Sequence, residues 1–433
     1  MKKVAPSVRK AQALHAWLQG EMTAENGSAL LSTLVRLATE RVLQDALEQE
    51  QAEALGRDRY ERAEDARGYR NGYEPGTLKT AEGVFRLQVP QIRGQAIPYR
   101  SRLWDEVKGT SEVLRTLIQE MYVNGLSQRD IEQTLETALG QFVVSKSTVS
   151  TLTDTLVEEY EAFRQRELSG YDVAYLFIDT VYEPLRRWGS KTGVLCVWGI
   201  CEDGRKVLLS LWTTNSESYA SCVEVLRDLI GRGLRTPITI TTDGAVGLTK
   251  AVDAIWPQAL RIRCWFHKMR NLMQKVPPQA WPAFKAVVAD FRDAPTVEEG
   301  ERRLQAVVRQ HQVDFPEACR CLLEDRQASL NHLKVPLRHR QYVRTSNLAE
   351  RAFEEERRRT KVIPKLWDEA SLVKLVFGTL IRVSERWGKK QYSEFEQQQI
   401  RTLRKELGLD APMEDRSPEP SPRQHRRSAA AAT

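Results

Sequence analysis

Residues 173–179 have the sequence VAYLFID, and residues 238–244 have the sequence ITITTDG. Each stretch is a short apolar or β-branched run, which is typical of a buried strand, and an aspartate follows each run directly. Further strands are indicated at 194–200 and 207–212, and a helix is indicated over 217–229. Strands followed by a helix and another strand predict a mixed α/β core, so these residues decide the fold.

The composition is that of an ordinary globular chain with a basic bias. The 433 residues suffice for about three domains. Lys and Arg number 65 against 58 for Asp and Glu, and the net charge of +7 favours a polyanionic partner. Six cysteines are too few for a disulfide framework. Because no apolar run reaches the roughly 18 residues of a membrane span and no signal-peptide pattern is present, we expect a cytoplasmic protein without a membrane partner.

The first 110 residues predict helices and then a small β-containing segment. Residues 1–60 are polar, and their apolar spacing favours helices at Leu31, Leu34, Leu37, Val42, Leu43 and Leu47. In residues 61–110, the glycines and the proline of 68–76 are expected to form turns. Apolar and polar residues alternate over 84–90, which predicts a half-buried strand. At the other end, the Pro-rich residues 410–433 are expected to form a disordered tail.

A helix-turn-helix unit is predicted at residues 111–168. One helix ends at Gly125, and a second begins after Ser127, which has Asp130 at the capping-box position. A third helix begins near Ser145, with Val149 and Leu152 expected to pack inward. Its polar first turns suit contacts to phosphates and bases through Lys146, Ser147 and Ser150. A plain helical bundle with solvated helix ends fits the same spacing.

Three acidic residues are candidates for a metal-dependent site. Asp179 and Asp243 each follow a buried strand, where a charge is costly unless it is paired or bound to a metal. Carboxylates converging from different elements can hold two Mg²⁺ ions for phosphoryl transfer. Each residue also has a plainer interpretation: a strand-end cap for Asp179, a turn for Asp243 before Gly244, and a solvated helix residue for Glu350.

A Cys-x-x-His pair at Cys264 and His267 is the other unusual feature. It supplies half of the ligands of a structural zinc site, and no second pair with zinc-like spacing follows. At the end of a strand, His267 is alternatively suited to a hydrogen bond with a phosphate or a carboxylate. Cys319 and Cys321 lie in an apolar helix and are expected to pack.

Several segments in a fixed order carry a resemblance to a known family. They are GYRNGY (68–73), GLSQRDI (125–131), the Asp179 strand, DGAVGL (243–248), CWFHKMRN (264–271), TSNLAER (345–351) and RRRT (357–360). Together they resemble the Mutator-type transposases of bacterial insertion sequences, over about residues 60–390. That family belongs to the DDE class and has an RNase H-like catalytic domain. The sequence at 363–367 departs from the usual family pattern.

The resemblance implies that Asp179, Asp243 and Glu350 are a catalytic triad that binds two Mg²⁺ ions, with Mn²⁺ as a substitute. The acids are 64 and 107 residues apart, and the longer gap fits a helical insertion. The residues implied to lie next to the site are Cys264, His267, Arg270 and Asn271.

The implied fold is α/β, with an RNase H-like mixed sheet and a large all-α insertion, preceded by N-terminal helices and the helix-turn-helix region. The catalytic core would comprise residues 169–267 and 345–405, with the insertion at 268–344.

The function implied is that of a transposase, which binds terminal inverted repeats and catalyses Mg²⁺-dependent strand cleavage and strand transfer. The resemblance further suggests replicative copy-out–paste-in transposition through a circular intermediate, in a bacterial cytoplasm at the nucleoid. The partners would be double-stranded terminal-repeat and target DNA and a second copy of the chain, with residues 1–60 as a dimerisation surface. Expected DNA contacts are Arg62, Arg67, Arg70, Arg129, Lys146, Ser147, Ser150, Arg351, Arg358 and Arg359.

Two alternatives remain open at this point. The first is a domesticated, non-catalytic DNA-binding protein, which would have no need to keep all three acids. The second is an RNase H-like nuclease without strand transfer, which the DNA-reading unit disfavours.

Overall fold

The computed structural model describes residues 4–20, 27–61, 67–184, 191–214, 216–361, 368–389 and 391–409. Within these residues the chain forms two compact units. The first comprises residues 4–162 and 355–379, and the second comprises residues 163–184, 191–354 and 380–409. The predicted tail at 410–433, the segment 363–367 and Arg62 lie outside the described residues. No described helix has both the length and the apolar composition that a membrane span requires.

The first unit combines helices with a small sheet. Its helices are α1 (Pro6–Gly20), α2 (Gly27–Leu55), α3 (Arg102–Val107), α4 (Glu112–Val123), α5 (Gln128–Leu139) and most of α6 (Lys146–Gln165). Its strands are β1 (Tyr69–Thr80), β2 (Gly83–Arg93) and β3 (Gly109–Thr110). Strand β1 is central, antiparallel to β2 and parallel to β3.

Glutamine side chains attach the polar helix α2 to the free edge of β2. The Gln44 side chain donates to the Gln88 carbonyl and accepts from the Gln88 N–H, both at 2.8 Å. Gln51 donates to the Gln91 carbonyl at 2.8 Å. Because the backbone groups of an edge strand need partners, a polar helix face satisfies them where an apolar face would not.

The predicted N-terminal helices are confirmed, but their predicted apolar face is partly wrong. Leu47 is fully buried, whereas Leu31 and Val42 are 62% and 64% exposed. The reason is that polar contacts with β2, which the apolar spacing does not report, determine which face of α2 packs inward.

The expected turns at residues 68–76 are also wrong, because β1 runs through them. The strand has a bulge between Arg70 and Tyr73, which accommodates Gly72 with its φ of +78°. Pro75 has no N–H to donate. It is tolerated because β1 pairs only with β2 at that point, so there is no strand on its other side that would lose a hydrogen bond. The half-buried strand predicted at 84–90 is confirmed within β2.

The local signals at helix ends between α4 and α6 are confirmed. Gly125 has a φ of +97° and follows α4, and Ser127 forms a capping box with Asp130 at the start of α5. Val149 and Leu152 of α6 are buried, as predicted.

The second unit contains a mixed five-stranded sheet. Its strands are β4 (Val173–Pro184), β5 (Lys191–Cys201), β6 (Lys206–Thr214), β7 (Thr239–Thr242) and β8 (Leu260–Arg263), in the order β6-β5-β4-β7-β8. The first three are antiparallel neighbours, whereas β4, β7 and β8 are parallel. Helices α7 (Tyr219–Gly231) and α8 (Val246–Ile255) pack on the sheet through a core that includes Leu176, Ile178, Leu226, Ile240 and Val252. The predicted mixed α/β class is therefore confirmed.

The helices predicted after this sheet are present. They are α9 (Trp265–Met273), α10 (Trp281–Arg292), α11 (Val297–His311), α12 (Pro316–Glu324), α13 (Arg326–Leu330), α14 (Arg340–Val343), α15 (Asn347–Thr360), α16 (Glu369–Trp387) and α17 (Glu394–Glu406), with two short 3₁₀ turns before α14. Helices α9–α13 share a second core, which includes Trp265, Phe284, Phe291, Leu304 and Leu322. Cys319 and Cys321 pack as predicted, and all six cysteines are buried free thiols. The assignment of residues 268–344 to an inserted domain stays a prediction.

A buried arginine fastens α17 to the start of the sheet. The Arg404 guanidinium donates to the Glu202 carboxylate at 2.9 Å and to the carbonyls of Val173 and Thr236, each at 2.8 Å. Its neighbour Arg401 is 56% exposed, with 3.7 Å between its Nε and the same carboxylate.

Arg404→Met is expected to lower the free energy of unfolding by about 3 kcal/mol, since it leaves a buried carboxylate and two carbonyls without their donor. The matched variant Arg401→Met is expected to cost less than about 1 kcal/mol, because that pair is exposed. Urea unfolding followed by tryptophan fluorescence measures both. Equal losses in the two variants would contradict this account.

Candidate active site

The register of the parallel strands places the first two predicted acids side by side. Ile178 of β4 pairs with Thr242 of β7, and Thr242 pairs with Arg263 of β8. Asp179, Asp243 and Cys264 come next in the chain, so the three lie level with one another across neighbouring strands. The prediction that Asp179 follows the end of its strand is wrong, because β4 continues to Pro184 and Asp179 pairs with Cys196 of β5. Adjacent strands are about 4.8 Å apart, which allows side chains that lie level with one another to share one ion.

Backbone N–H groups orient both aspartates. Asp179 Oδ1 accepts from the N–H of Thr180 at 3.0 Å, and Asp243 Oδ1 accepts from the N–H of Ala245 at 2.9 Å. Each bond engages one oxygen of the carboxylate, so each side chain keeps an oxygen with which to bind a cation.

Two glycines allow the chain to turn sharply after Asp243 into α8. Gly244 has a φ of +90°, and a Cβ there would lie 2.3 Å from Cζ of Arg263. A Cβ at Gly247 would lie 2.3 Å from the carbonyl oxygen of Glu217. Gly244 is required by its positive φ, and Gly247 is required by packing, because the atoms that a Cβ would meet there belong to the backbone.

The third acid lies near the other two. Burial raises the pKa of Asp179 to about 7, the positive potential of His267 opposes that shift, and repulsion from Asp243 and Glu350 adds to it. The structure therefore brings together all three acids that the sequence singled out. His267 was predicted at the end of a strand, but it lies in the first turn of α9, which begins shortly after β8 ends.

Asp243 and Glu350 are 107 residues apart in the sequence, and hydrogen bonds bring the segments that precede them together. The Thr241 hydroxyl of β7 donates to the Val343 carbonyl at 2.7 Å, and the N–H of Trp265 donates to the Arg344 carbonyl at 2.8 Å. These bonds attach the segment just before α15 to the ends of β7 and β8. Glu350, in the first turn of α15, is placed by them.

Cys264 and His267 lie beside Glu350. The Cys264 sulfur, a ring nitrogen of His267 and a carboxylate oxygen of Glu350 are all within 4.8 Å of one another. Burial raises the pKa of the Cys264 thiol, against the hydrogen bonds that it accepts from Ser346 and His267. Sulfur and nitrogen donors suit Zn²⁺, whereas the oxygens of the three acids suit Mg²⁺.

The donor set at the sheet edge fits a divalent cation. Asp243 and Glu350 are near enough to Asp179 to add to the raised pKa that its burial causes, although the three donor atoms that lie within 4.8 Å of one another belong to Cys264, His267 and Glu350. A bound cation would offset that repulsion, and oxygen ligands from Asp179, Asp243 and Glu350 are those that Mg²⁺ and Mn²⁺ prefer.

Two residues near the acids were missed from the sequence. Glu217 precedes α7, and its half-buried carboxyl has a pKa raised by burial and by repulsion from Asp243, which a hydrogen bond with Thr180 partly offsets. The Ser346 hydroxyl donates to Glu350 Oε1 at 2.7 Å. Ser346 had a detectable signal, its place directly before a predicted helix, whereas Glu217 had none.

The other residues predicted beside the site follow His267 on α9. Arg270 is exposed, and Asn271 is half-buried. Their supporting role stays a prediction.

The predicted DNA contacts fall on several elements of the first unit. Arg129 is exposed on α5, and an open cleft of about 490 Å³ is lined by Gln128, Lys146, Ser147, Ser150 and Thr151. Arg67 is exposed. The guanidinium of Arg70 donates to the carbonyls of Arg57 and Asp58, at 3.0 and 3.3 Å.

Three further predicted contacts lie on α15. Arg351 is exposed and belongs to the second unit. Arg358 and Arg359, in the first unit, pair with the Glu355 carboxylate at 2.9 and 2.8 Å. The two pairs therefore hold these arginines along the helix, and contact with DNA stays a prediction for all three.

Comparison with known proteins gives consistent matches. The family described as "Transposase, Mutator family" matches residues 12–390. The transposase for insertion sequence element ISRM5 of Rhizobium meliloti is 30% identical over 348 residues, which cover 80% of this chain and 86% of that protein. The transposase for IS406 of Burkholderia multivorans is 32% identical, over 80% of this chain and 89% of that protein. The transposase for IS256 in transposon Tn4001 of Staphylococcus aureus is 26% identical, over 82% and 92%.

Asp179→Asn is expected to raise the midpoint of thermal unfolding by about 3 °C at pH 8 in metal-free buffer. The folded carboxyl keeps its proton up to about pH 7, whereas the unfolded one loses it near pH 4. Stability of the wild type therefore falls as pH rises through that window, and the asparagine variant escapes the loss.

Differential scanning fluorimetry from pH 4 to pH 8.5 measures this difference, which should vanish at the acidic end. Asp172→Asn is the matched control, because that carboxylate at the start of the same strand is 60% exposed. A pH-independent difference for Asp179→Asn would show that the carboxyl is not held near its neutral form.

Proposed function

The chain belongs to the Mutator family of transposases, and on this premise we propose that it is a Mg²⁺-dependent DNA transposase of the DDE class. Its substrate would be the terminal inverted repeats of its own insertion sequence. The observation that carries the proposal is the placement of Asp179 and Asp243 side by side on neighbouring strands, with Glu350, 107 residues further along the chain, near enough to add to the raised pKa of Asp179.

We further assign the second unit to the RNase H-like class. Two features support this assignment. The sheet has three antiparallel strands followed by two parallel ones, and Asp179 lies within β4 while Asp243 directly follows β7. The helices between β8 and α15 would be the all-α insertion at residues 268–344, and α15 would return the chain to the catalytic core.

Asp179, Asp243 and Glu350 are the residues that would hold two Mg²⁺ ions, with Mn²⁺ as a substitute. When bound, these ions would activate the attacking oxygen and stabilise negative charge on the phosphate. The chain supplies the preorganisation. Two aspartates are fixed by backbone N–H groups, and the glutamate is fixed by a serine hydroxyl, so little reordering is needed when DNA arrives.

Two chemical steps would use this arrangement. In the first, water attacks a phosphodiester, and the leaving 3′-oxygen takes a proton to become a 3′-hydroxyl. In the second, that hydroxyl attacks a phosphodiester in another strand, which joins the two strands and releases a new 3′-hydroxyl. Both steps are in-line displacements at phosphorus. The family resemblance suggests that they are arranged as copy-out–paste-in transposition through a circular intermediate.

Recognition of the element ends is assigned to α4–α6 as a helix-turn-helix unit. The start of α6 and the adjacent α5 form the cleft lined by Lys146, Ser147 and Ser150. A helix N-terminus with exposed hydroxyls and a lysine suits phosphate oxygens, and the first turns of a recognition helix reach base edges. Arg129, exposed on α5, would add a phosphate contact.

A homodimer is proposed because two element ends must be held together while each is cut. Helix α2 offers a surface for it, since Leu31, Val35 and Val42 are exposed at helical spacing on that helix. The working location would be the nucleoid of a bacterial cytoplasm, where terminal-repeat and target DNA are found.

Asp179→Asn, Asp243→Asn and Glu350→Gln are each expected to lower strand cleavage and strand transfer at least about 100-fold, because each removes a charge that holds the cations. Purified protein is incubated with labelled DNA from the flanks of its gene, with Mg²⁺ or with EDTA. Glu354→Gln, four residues along α15 and exposed, is the matched control and should keep its activity.

Activity that persists in Asp243→Asn or in EDTA would contradict the assignment. Cleavage without joined products would identify a nuclease, and specific binding without cleavage would identify a DNA-binding protein.

Lys146→Ala combined with Ser147→Ala is expected to weaken binding to the element ends about 10-fold, since both side chains line the proposed phosphate contact. Sedimentation velocity with labelled end DNA measures both the affinity and the mass of the complex, which should contain two chains. Lys108→Ala is the control, an exposed lysine of the same unit paired with Asp105. Unchanged binding would show that other residues recognise the element ends, and a complex with only one chain would exclude the dimer.

A further inference from the structure

The Glu350 carboxylate has a dedicated hydrogen-bond donor. Ser346 lies one helical turn earlier, directly before α15, and is fully buried. Its hydroxyl donates to Glu350 Oε1 at 2.7 Å, and its carbonyl accepts the backbone N–H of Glu350 at 2.9 Å. The serine therefore holds both the backbone and the side chain of the third acid.

The same serine is held in turn by Cys264. The Cys264 sulfur lies 3.2 Å from the Ser346 hydroxyl oxygen and 3.2 Å from the Ser346 nitrogen. A hydroxyl has one hydrogen, and here the carboxylate accepts it. The thiol must then donate its S–H to the hydroxyl oxygen, while the backbone N–H of Ser346 donates to sulfur. Hydrogens consequently point in one direction, from thiol to hydroxyl to carboxylate.

Cys264 connects this chain of bonds to the second acid. Its backbone N–H donates to the carbonyl of Thr242 at 2.9 Å, and Thr242 immediately precedes Asp243. An unbroken path of hydrogen bonds thus runs from the residue before Asp243, through Cys264 and Ser346, to Glu350. Every member of the path is buried except the carboxylate, which is half-buried and free to face a cation.

We propose that Ser346, anchored by Cys264, is a positioning residue that orients the Glu350 carboxylate for metal binding. This inference rests on the proposed role of Glu350 as a metal ligand. A glutamate side chain has three rotatable bonds, and fixing them when the ion binds costs conformational entropy. Because the serine bond fixes the carboxylate beforehand, the ion meets an ordered ligand, as with other hydrogen-bonded metal ligands.

A zinc site made of Cys264, His267 and Glu350 is the competing explanation, since the three donor atoms lie within 4.8 Å of one another. Ser346 links the two side chains whichever of sulfur and hydroxyl oxygen donates, because its N–H and its hydroxyl both lie 3.2 Å from the sulfur and its hydroxyl donates to Glu350. A zinc-bound thiolate has no S–H to donate, so zinc binding and the thiol-to-hydroxyl bond exclude each other, and the test separates them.

The test measures Mn²⁺ binding to the full-length protein directly, by electron paramagnetic resonance of the free ion. Ser346→Ala is expected to weaken Mn²⁺ binding at least about 10-fold, and Ser346→Thr, which keeps a hydroxyl, should stay within about threefold of the wild type. Ser329→Ala is the matched control, because Ser329 is buried and its hydroxyl has no partner among the described residues.

Cleavage assays over a range of Mn²⁺ concentrations add a second signature. In Ser346→Ala the concentration for half-maximal rate should rise by the same factor, while saturating Mn²⁺ restores most of the rate. A purely structural role would instead lower the maximal rate and the unfolding temperature in EDTA. If Ser346→Ala fails to fold, Ser346→Gly replaces it, since glycine also removes the hydroxyl and is tolerated at a helix start.

Unchanged Mn²⁺ affinity in Ser346→Ala would overturn the inference, even if the wild type cleaves DNA as proposed. A wild type that binds Mn²⁺ but cleaves no DNA would overturn the proposed function alone. Stoichiometric Zn²⁺ binding that disappears in Cys264→Ala would assign the thiol as a ligand and also overturn the positioning role.

Discussion

The burial of acidic side chains close to one another is the constraint on which the candidate site depends. Asp179 and Asp243 are adjacent because β4 and β7 are parallel neighbours, and Glu350 adds a third acid. Burial, together with repulsion from Asp243 and Glu350, raises the pKa of Asp179 to about 7. A fold that maintains such a cluster without a cation loses stability as the pH rises. This cost has a functional explanation if the cluster binds divalent cations in the active state.

The cluster exists only because distant segments are joined by hydrogen bonds. Thr241, Trp265 and Cys264 attach the ends of β7 and β8 to residues 343–346, directly before α15. Helices α9–α13 share an apolar core that includes Trp265, and Asp325 and Asn331 contact Arg263 and Arg261 of β8, so the long segment between the second and third acids packs directly against the strand beside the site. Asp243 and Glu350 are thus 107 residues apart in the sequence, while hydrogen bonds hold the start of α15 at the ends of β7 and β8.

Local signals predicted the fold well, and tertiary contacts account for what they missed. The strands around Asp179 and Asp243 followed from their apolar runs, and the capping box of Ser127 followed from spacing within one turn. β1 was missed because its glycines and proline are turn signals in isolation, whereas a bulge accommodates them. Asp179 and Asp243 were singled out because each follows an apolar run, and the family resemblance added weight to Glu350. Ser346 directly precedes a predicted helix, but its role was missed because its partner Cys264 is 82 residues away in the sequence.

The most direct test of the central claim, that the three acids form one metal site, is anomalous X-ray diffraction from crystals soaked in Mn²⁺. The account predicts two manganese peaks in contact with the carboxylate oxygens of Asp179, Asp243 and Glu350, and loss of peaks in crystals of Asp243→Asn. A single peak at the sulfur of Cys264 and the ring of His267, or no peak at the edge of the sheet, would contradict it.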